Sequence, residues 1–294
     1  NDTGATLSKF SNTSNLGTLE NKGNLGSATN TGTLANLSNT GNAGSIANKG
    51  TLTNITNTGS IANLTNTKNL GTLSNKGTLA NATNTGSIAS LTNTKNIGTF
   101  SNANGGTLTT LSNTGSAGSI ANQGIITKQV TNQGTIANFS NAGTLSNGLV
   151  NNANATLTNF TNSGNAGSIT NKGTLSGSNS GIIANLANTK NIGTFTNANG
   201  GTITNKVSNE GTIANFDNKG ILSGGFVNNA NAILTKFSNS NNIGTFDNQG
   251  SLASAENTGS ITNFANSGTA GNITNKGTLA SATNTGTLAN LANT

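Results

Sequence analysis

Residues 30–38 read NTGTLANLS and residues 57–65 read NTGSIANLT. The same nine-residue repeat recurs along nearly the whole chain, with Asn first, usually Gly third, an apolar fifth position and an apolar eighth position. An Asn-x-Gly in each repeat predicts a tight turn, because Gly and Asn favour turns and are poor helix formers. One repeat cannot bury its own apolar side chains, so neighbouring repeats must stack. The sequence therefore predicts an all-β fold, a parallel β-solenoid.

The eighth position of the repeat, two residues before the next Asn, is the strongest apolar column. Only Gly177 interrupts it, and all 10 Phe residues of the chain occupy it. Side chains at one position of a stacked β-repeat lie above each other, one strand spacing apart. The pattern predicts an internal stack with these large members: Phe100, Phe139, Phe195, Phe216, Phe246 and Phe264.

The Asn at the first position of each repeat predicts a structural role. Stacked amides can hydrogen-bond along the stack, as in cross-β structures. Asn also tolerates a left-handed turn conformation, which leaves a second interpretation open. The structural Asn residues predicted from the regular part of the chain are Asn30, Asn39, Asn48, Asn57, Asn66, Asn75, Asn84 and Asn93.

The size of one coil is predicted from features that recur at a longer interval. Lys22, Lys49 and Lys76 recur at every third repeat, and a second Gly also marks one repeat in three. If stacked side chains must recur once per coil, three repeats make a three-sided coil of about 27 residues. Residues 132–175 resemble residues 209–252 at an offset of eight Asn anchors, which is not a multiple of three. We expect residues 1–294 to form a single continuous array, a segment or protomer of a longer assembly.

Composition argues against several classes of function. The 294 residues include no His, Cys, Met, Trp, Tyr or Pro, so nucleophile–base triads and soft or imidazole metal ligands are missing. The net charge of +7 comes from scattered Lys without Arg, unlike the basic, aromatic faces that bind nucleic acid. No apolar run is long enough for a transmembrane segment. We expect no enzyme, no cofactor and no nucleic-acid partner.

One acidic pattern suggests chemistry. Asp217 and Asp247 each precede an Asn anchor and are three anchors apart, so they could lie on adjacent coils. Two neighbouring carboxylates on a β-helix face could act on a polysaccharide by general acid–base catalysis. A solvated polar edge is the simpler interpretation of the same residues.

The motifs NTGTL, NKGTL, NTGSI and NEGTI resemble the passenger regions of bacterial autotransporters and filamentous-haemagglutinin-type adhesins, including passengers of the vacuolating-toxin type. The resemblance implies a parallel β-helix displayed at the bacterial cell surface. It implies a structural or adhesive extracellular role as a stalk, fibre or filament. The expected partners are copies of the chain, associating end to end or laterally, and a host or neighbouring cell surface. Two alternatives remain: an ice-binding solenoid, although Thr-x-Thr, as at Thr107–Thr109, does not recur regularly in every coil, and a carbohydrate-active or toxin-type passenger.

Overall fold

The computed structural model describes all residues from 1 to 294 and contains strands and turns but no helix. The predicted all-β parallel β-solenoid is confirmed, because the paired strands run parallel and repeats stack on repeats in register. The chain falls into two compact units, Asn1–Ser146 and Asn147–Thr294, which are described one at a time. No helix of the length and apolarity needed to cross a membrane is present.

Unit 1 contains seventeen strands, most of them seven residues long. They are β1 (Thr6–Asn12), β2 (Asn15–Asn21), β3 (Asn24–Asn30), β4 (Thr33–Asn39), β5 (Asn42–Asn48), β6 (Thr51–Asn57), β7 (Ser60–Asn66), β8 (Asn69–Asn75), β9 (Thr78–Asn84), β10 (Ser87–Asn93), β11 (Asn96–Asn102), β12 (Thr107–Asn113), β13 (Ser116–Asn122), β14 (Ile125–Ile126), β15 (Val130–Asn132), β16 (Thr135–Asn141) and β17 (Thr144–Leu145).

Unit 2 contains eighteen strands with the same pattern. They are β18 (Leu149–Asn151), β19 (Thr156–Asn162), β20 (Asn165–Asn171), β21 (Thr174–Asn179), β22 (Ile182–Asn188), β23 (Asn191–Asn197), β24 (Thr202–Ile203), β25 (Val207–Asn209), β26 (Thr212–Asn218), β27 (Ile221–Leu222), β28 (Phe226–Asn228), β29 (Ile233–Asn239), β30 (Asn242–Asn248), β31 (Ser251–Asn257), β32 (Ser260–Asn266), β33 (Thr269–Asn275), β34 (Thr278–Asn284) and β35 (Thr287–Asn293).

Each unit consists of two parallel sheets, because successive repeats alternate between them. In unit 1 the first sheet has the order β1-β3-β5-β7-β9-β11-β13-β16, and the second sheet runs from β2 to β12 through the even-numbered strands and then to β14, β15 and β17. In unit 2 the first sheet has the order β19-β21-β23-β26-β29-β31-β33-β35. The second sheet of unit 2 contains β18, β20, β22, β24, β25, β27, β28, β30, β32 and β34.

The predicted three-sided coil, with three repeats per turn, is wrong. Asn39 pairs with Asn57, so one coil is two repeats and 18 residues. The second Gly of some repeats does not stack on its own kind. Gly71 lies over Thr53 and Gly98 over Ala80. This position faces outward and accepts several small side chains. The recurrence of Gly there at every third repeat therefore does not determine the length of a coil.

Every full strand places its second, fifth and seventh residues inward. In β4 these are Leu34, Leu37 and Asn39, which are 2% exposed or less. Two successive outward residues lie between Leu34 and Leu37, so the strand departs from the strict alternation of a flat strand. The first and sixth residues also face outward, and they are mostly Thr, Ser, Asn or Ala. The apolar residues of both sheets thus form one narrow core in each unit.

All six predicted core Phe residues are buried. Phe100 and Phe139 lie in the first sheet of unit 1, and the other four lie in unit 2. There the ring of Phe216 stacks on that of Phe195 at 5.8 Å and on that of Phe237 at 6.0 Å between centroids. The second-sheet rings of Phe246 and Phe264 are 5.6 Å apart. Because Phe246 also stacks on Phe237 at 4.3 Å, aromatic contacts join the two sheets of unit 2.

Insertions into the repeat form corner turns. At residues 103–106 the backbone N–H of Gly106 donates to the carbonyl of Ala103 at 2.9 Å, and Gly105 has a φ of 82°. A turn with positive φ at its third residue needs Gly or Asn there. Asn154 and Asn231 hold the corresponding conformation in unit 2, with φ of 66° and 67°.

The offset of eight anchors between residues 132–175 and residues 209–252 is a whole number of two-repeat coils. Asn132 and Asn209 therefore both end second-sheet strands, β15 and β25. In β21 one residue is deleted, and Gly177 occupies the apolar column opposite Phe160 and Phe195. A Cβ added at Gly177 would come within 3.0 Å of the Cβ of Phe160. The shortened strand therefore favours glycine, which has no Cβ, at this position.

Phe216→Asp should unfold a large part of unit 2, because it places a charge in the ring stack. We expect a loss of about 4 kcal/mol or more in the free energy of unfolding. Asn215→Asp is the matched control, since the neighbouring Asn215 is exposed and should change stability by less than about 0.5 kcal/mol. Urea denaturation followed by circular dichroism measures both. Equal losses would contradict the inward placement of Phe216.

Candidate functional site

The Asn that ends each full strand from β1 to β33 lies buried at an edge of the coil. In unit 1 the first ladder contains Asn12, Asn30, Asn48, Asn66, Asn84, Asn102, Asn122 and Asn141, and the second ladder contains Asn21, Asn39, Asn57, Asn75, Asn93, Asn113 and Asn132. Along each ladder the Nδ2 of one Asn donates to the Oδ1 of the next. The bonds from Asn30 to Asn48 and from Asn75 to Asn93 are 2.9 and 2.8 Å long. The predicted residues thus divide equally between two ladders of hydrogen-bonded amides.

The same ladders run through unit 2. Asn179 donates to Asn197 at 2.9 Å in its first ladder, and Asn209 donates to Asn228 at 2.8 Å in its second ladder. The ladder residues have ordinary negative φ, so left-handed turn geometry is not the reason for Asn at this position. Hydrogen bonding along the stack is the reason.

Most ladder amides also donate to backbone carbonyls in or beside the turns. The Nδ2 of Asn75 donates to the carbonyl of Asn96 at 2.8 Å and to that of Gly77 at 3.2 Å. No buried side-chain nitrogen or oxygen lacks a hydrogen-bond partner. Because an unpaired buried amide costs stability, this full pairing makes a polar column compatible with a narrow core.

The outward residues of β4, β6, β8, β10 and β12 form a surface that we call the central face. None of these strands carries a charged residue, and the outward positions are mainly Thr, Ser and Asn. The Nδ2 of Asn54 donates to the Oδ1 of Asn36 at 3.1 Å across two of these strands. Parallel pairing in register makes the face a regular array of hydroxyl and amide groups.

Most Lys residues lie in the turns that follow a ladder Asn, not on the faces. Three of them bind a carboxylate. Their Nζ atoms lie 3.4 Å from Glu20 for Lys22, 3.1 Å from Asp217 for Lys219 and 2.8 Å from Glu256 for Lys276. The hydrogen bond and charge of Lys276 hold the pKa of Glu256 below its ordinary value.

Six further turn lysines have no carboxylate partner. They are Lys49, Lys68, Lys76, Lys95, Lys172 and Lys190, and all are exposed. The sequence interval between such lysines predicted a three-sided coil, in which these lysines have other neighbours than in the structure. With two repeats per coil, the turn at residues 67–68 lies directly on the turn at residues 49–50. The backbone N–H of Thr67 donates to Asn48 at 2.9 Å, and that of Asn69 donates to Gly50 at 3.2 Å.

The structure does not bring the two predicted carboxylates together. Asp217 lies in β26 of the first sheet and Asp247 in β30 of the second sheet, so they face opposite sides of the coil. Asp247 accepts a hydrogen bond from the Nε2 of Gln249 at 2.7 Å, and Asp217 pairs with Lys219. The placement on adjacent coils is therefore wrong, because three repeats are an odd number of half-coils.

In comparisons with protein families, with curated proteins and with solved structures, nothing matches this chain. The fold itself is that of a β-solenoid and is compatible with a structural repeat protein. The candidate functional surfaces are therefore the central face and the lysine-bearing edges.

Asn75→Ala should destabilise unit 1 strongly. It removes an acceptor from the Nδ2 of Asn57 and leaves the Oδ1 of Asn93 without its donor, and we expect a loss of about 2–4 kcal/mol. Asn36→Ala, on the exposed face, should cost less than about 0.5 kcal/mol. Chemical denaturation of both variants measures the difference. A ladder variant as stable as the face variant would show that the amide bonds add nothing.

Proposed function

We propose that this chain is a structural, adhesive β-solenoid that acts outside a bacterial cell as a stalk, fibre or surface filament. Its proposed partners are a host or neighbouring cell surface and further copies of the chain, packed end to end or laterally. The central face is the observation that carries this proposal. It offers many equivalent hydroxyl and amide groups on a support that the ladders hold in register.

A surface of this kind suits adhesion through many weak contacts. Exposed Thr, Ser and Asn side chains both donate and accept hydrogen bonds. A single contact of this type is weak in water, but linked contacts raise the effective concentration of each next one. The resemblance of the repeats to autotransporter and filamentous-haemagglutinin passengers supports the extracellular location. It also supports the role of the solenoid as a spacer that holds a binding surface away from the cell.

Beads that carry the purified chain should adhere to cell surfaces through the central face. The variant Asn54→Asp/Thr72→Glu/Ser90→Glu places three charges in one column of that face. We expect adhesion to fall several-fold, because each charge adds a desolvation cost to any neutral contact. Detachment force in a flow cell is the measurement.

The matched control is Thr13→Glu/Gln123→Glu/Gln133→Glu, which adds three charges at exposed turn residues away from the central face. Circular dichroism checks that both variants fold. Equal adhesion by the two variants would overturn the role of the face, and wild-type beads that never adhere would overturn the proposed function.

Ice binding is the second candidate, favoured by one regular feature of the central face. The fourth and sixth residues of each strand both face outward, about 6.7 Å apart along the strand. They form the pairs Asn36/Ser38, Asn54/Thr56, Thr72/Ser74, Ser90/Thr92 and Thr110/Ser112, stacked in register. A search for Thr-x-Thr alone, as at Thr107–Thr109, misses this regularity, because the array also uses Ser and Asn.

An ice-binding face should slow the recrystallisation of ice at low protein concentration. The face-charged variant should lose this effect, and the turn-charged control should keep it, because charges disturb only water that the face itself orders. Microscopy of annealed ice films measures grain growth. Grain growth that is unaffected by the wild-type chain would remove this candidate.

A further inference from the structure

The six unpaired turn lysines form three pairs on adjacent coils, which we call the twin-lysine sites. They are Lys49 with Lys68, Lys76 with Lys95, and Lys172 with Lys190. In each pair the first Lys follows its ladder Asn directly and the second follows one residue later, as Asn-Lys-Gly below Asn-Thr-Lys. Every Asn-Thr-Lys of the chain lies on an Asn-Lys-Gly in this way.

Backbone bonds fix the stacking at all three sites. The N–H of Asn96 donates to the carbonyl of Gly77 at 3.1 Å, and that of Asn191 donates to Gly173 at 3.1 Å. The turns of each pair are therefore direct neighbours, one strand spacing apart. Like charges on adjacent strands repel, so each site costs the fold some stability unless an anion lies between the two ammonium groups.

The other turn lysines show which anion fits. Lys22, Lys219 and Lys276 lie in equivalent turns without a second lysine on the next coil, and each binds a carboxylate of the chain itself. The twin lysines lack that carboxylate. Between Lys22 and the end of unit 1 at Ser146 there is no Asp or Glu at all, although five Lys lie there. The chain thus supplies a carboxylate to single lysines and leaves the twin lysines open to one from outside.

Two twin-lysine sites flank the central face. Lys68 immediately precedes β8 and Lys76 immediately follows it, about 25 Å apart along an extended chain. Between them lie the neutral outward residues of β6, β8 and β10. A ligand that spans this distance needs carboxylates at both ends and groups that bind hydroxyls and amides between them.

We infer that the central face binds a linear polyuronate, an acidic polysaccharide with a carboxylate on its sugar residues. The carboxylates bind the twin-lysine sites at the two edges, and the sugar hydroxyls hydrogen-bond to residues such as Thr72 and Ser74. Nucleic acid fits less well, because the face has no aromatic side chain for base stacking and no Arg for bidentate phosphate binding. This inference rests on the proposed function and names the ligand class of its adhesive face.

Isothermal titration calorimetry with oligogalacturonate at low salt tests the inference. Lys68→Gln/Lys76→Gln removes one lysine from each site of unit 1, and we expect affinity to fall about tenfold or more. Lys22→Gln/Lys219→Gln removes the same charge from lysines that already bind a carboxylate, so its affinity should stay near that of the wild type. Exposed Lys→Gln changes of this kind leave folding intact, which circular dichroism verifies.

A further variant copies the carboxylate–lysine pair that Glu20 forms with Lys22. Ser74 lies in the same stacked column as Glu20, two residues before its turn lysine. Ser74→Glu should therefore pair with Lys76 as Glu20 pairs with Lys22, and it should weaken oligogalacturonate binding without removing any lysine. Binding that is unchanged in this variant and in Lys68→Gln/Lys76→Gln would overturn the inference.

Two further probes test whether the carboxylate itself is recognised. Fully methyl-esterified oligogalacturonate should not bind, and a DNA duplex of equal charge should bind more weakly than the polyuronate. Equal binding of either probe would overturn the inference. If polyuronate fails to bind while wild-type beads still adhere through the central face, only this inference falls. If polyuronate binds while the beads adhere to no cell, only the proposed function falls.

Discussion

The hydrogen bond from the Nδ2 of one buried Asn to the Oδ1 of the Asn one coil away is the interaction on which each unit depends. A coil of two repeats is thin, and its edges are where the chain reverses and where backbone groups would otherwise lack partners. The ladder amides satisfy carbonyls in and beside the turns, such as those of Gly77 and Asn96, while they bond to each other. This arrangement ties each coil to the next at both edges and leaves the interior to apolar residues. Because the ladders and the apolar core hold the coils together, the outward residues can vary and carry functional groups.

Sequence periodicity was enough to predict the strands, the inward column of Phe216 and the structural Asn residues, because these features depend on a single repeat. The number of repeats per coil could not be predicted in the same way. It depends on which residues tolerate each other across coils, and the outward position that stacks Gly71 on Thr53 tolerates several. The recurrence of Lys and Gly at every third repeat was a property of the sequence with no counterpart in the coil.

Because the predicted coil size was wrong, the predicted neighbours of the charged residues were also wrong. A coil of three repeats put Asp217 beside Asp247 and separated Lys68 from Lys49. The coil of two repeats separates the carboxylates onto opposite sheets and places the lysines on adjacent turns. The sequence thus predicted a surface with a pair of acidic residues, whereas the structure has lysine-bearing edges around a neutral face. For solenoids of this type, the parity of the repeat number between two residues decides whether they share a face.

The buried ladders have one further property. In both ladders of unit 1 every amide donates in the direction of increasing residue number, from Asn30 to Asn48 and from Asn39 to Asn57. The side-chain dipoles are therefore aligned along the stacking axis, and aligned hydrogen bonds polarise one another. A repeat stacked in the reverse direction would oppose two donors or two acceptors at both edges. The amide side chains thus give the stack a polarity along its axis. They favour stacking of each coil in the same direction as the coil before it over stacking in the reverse direction.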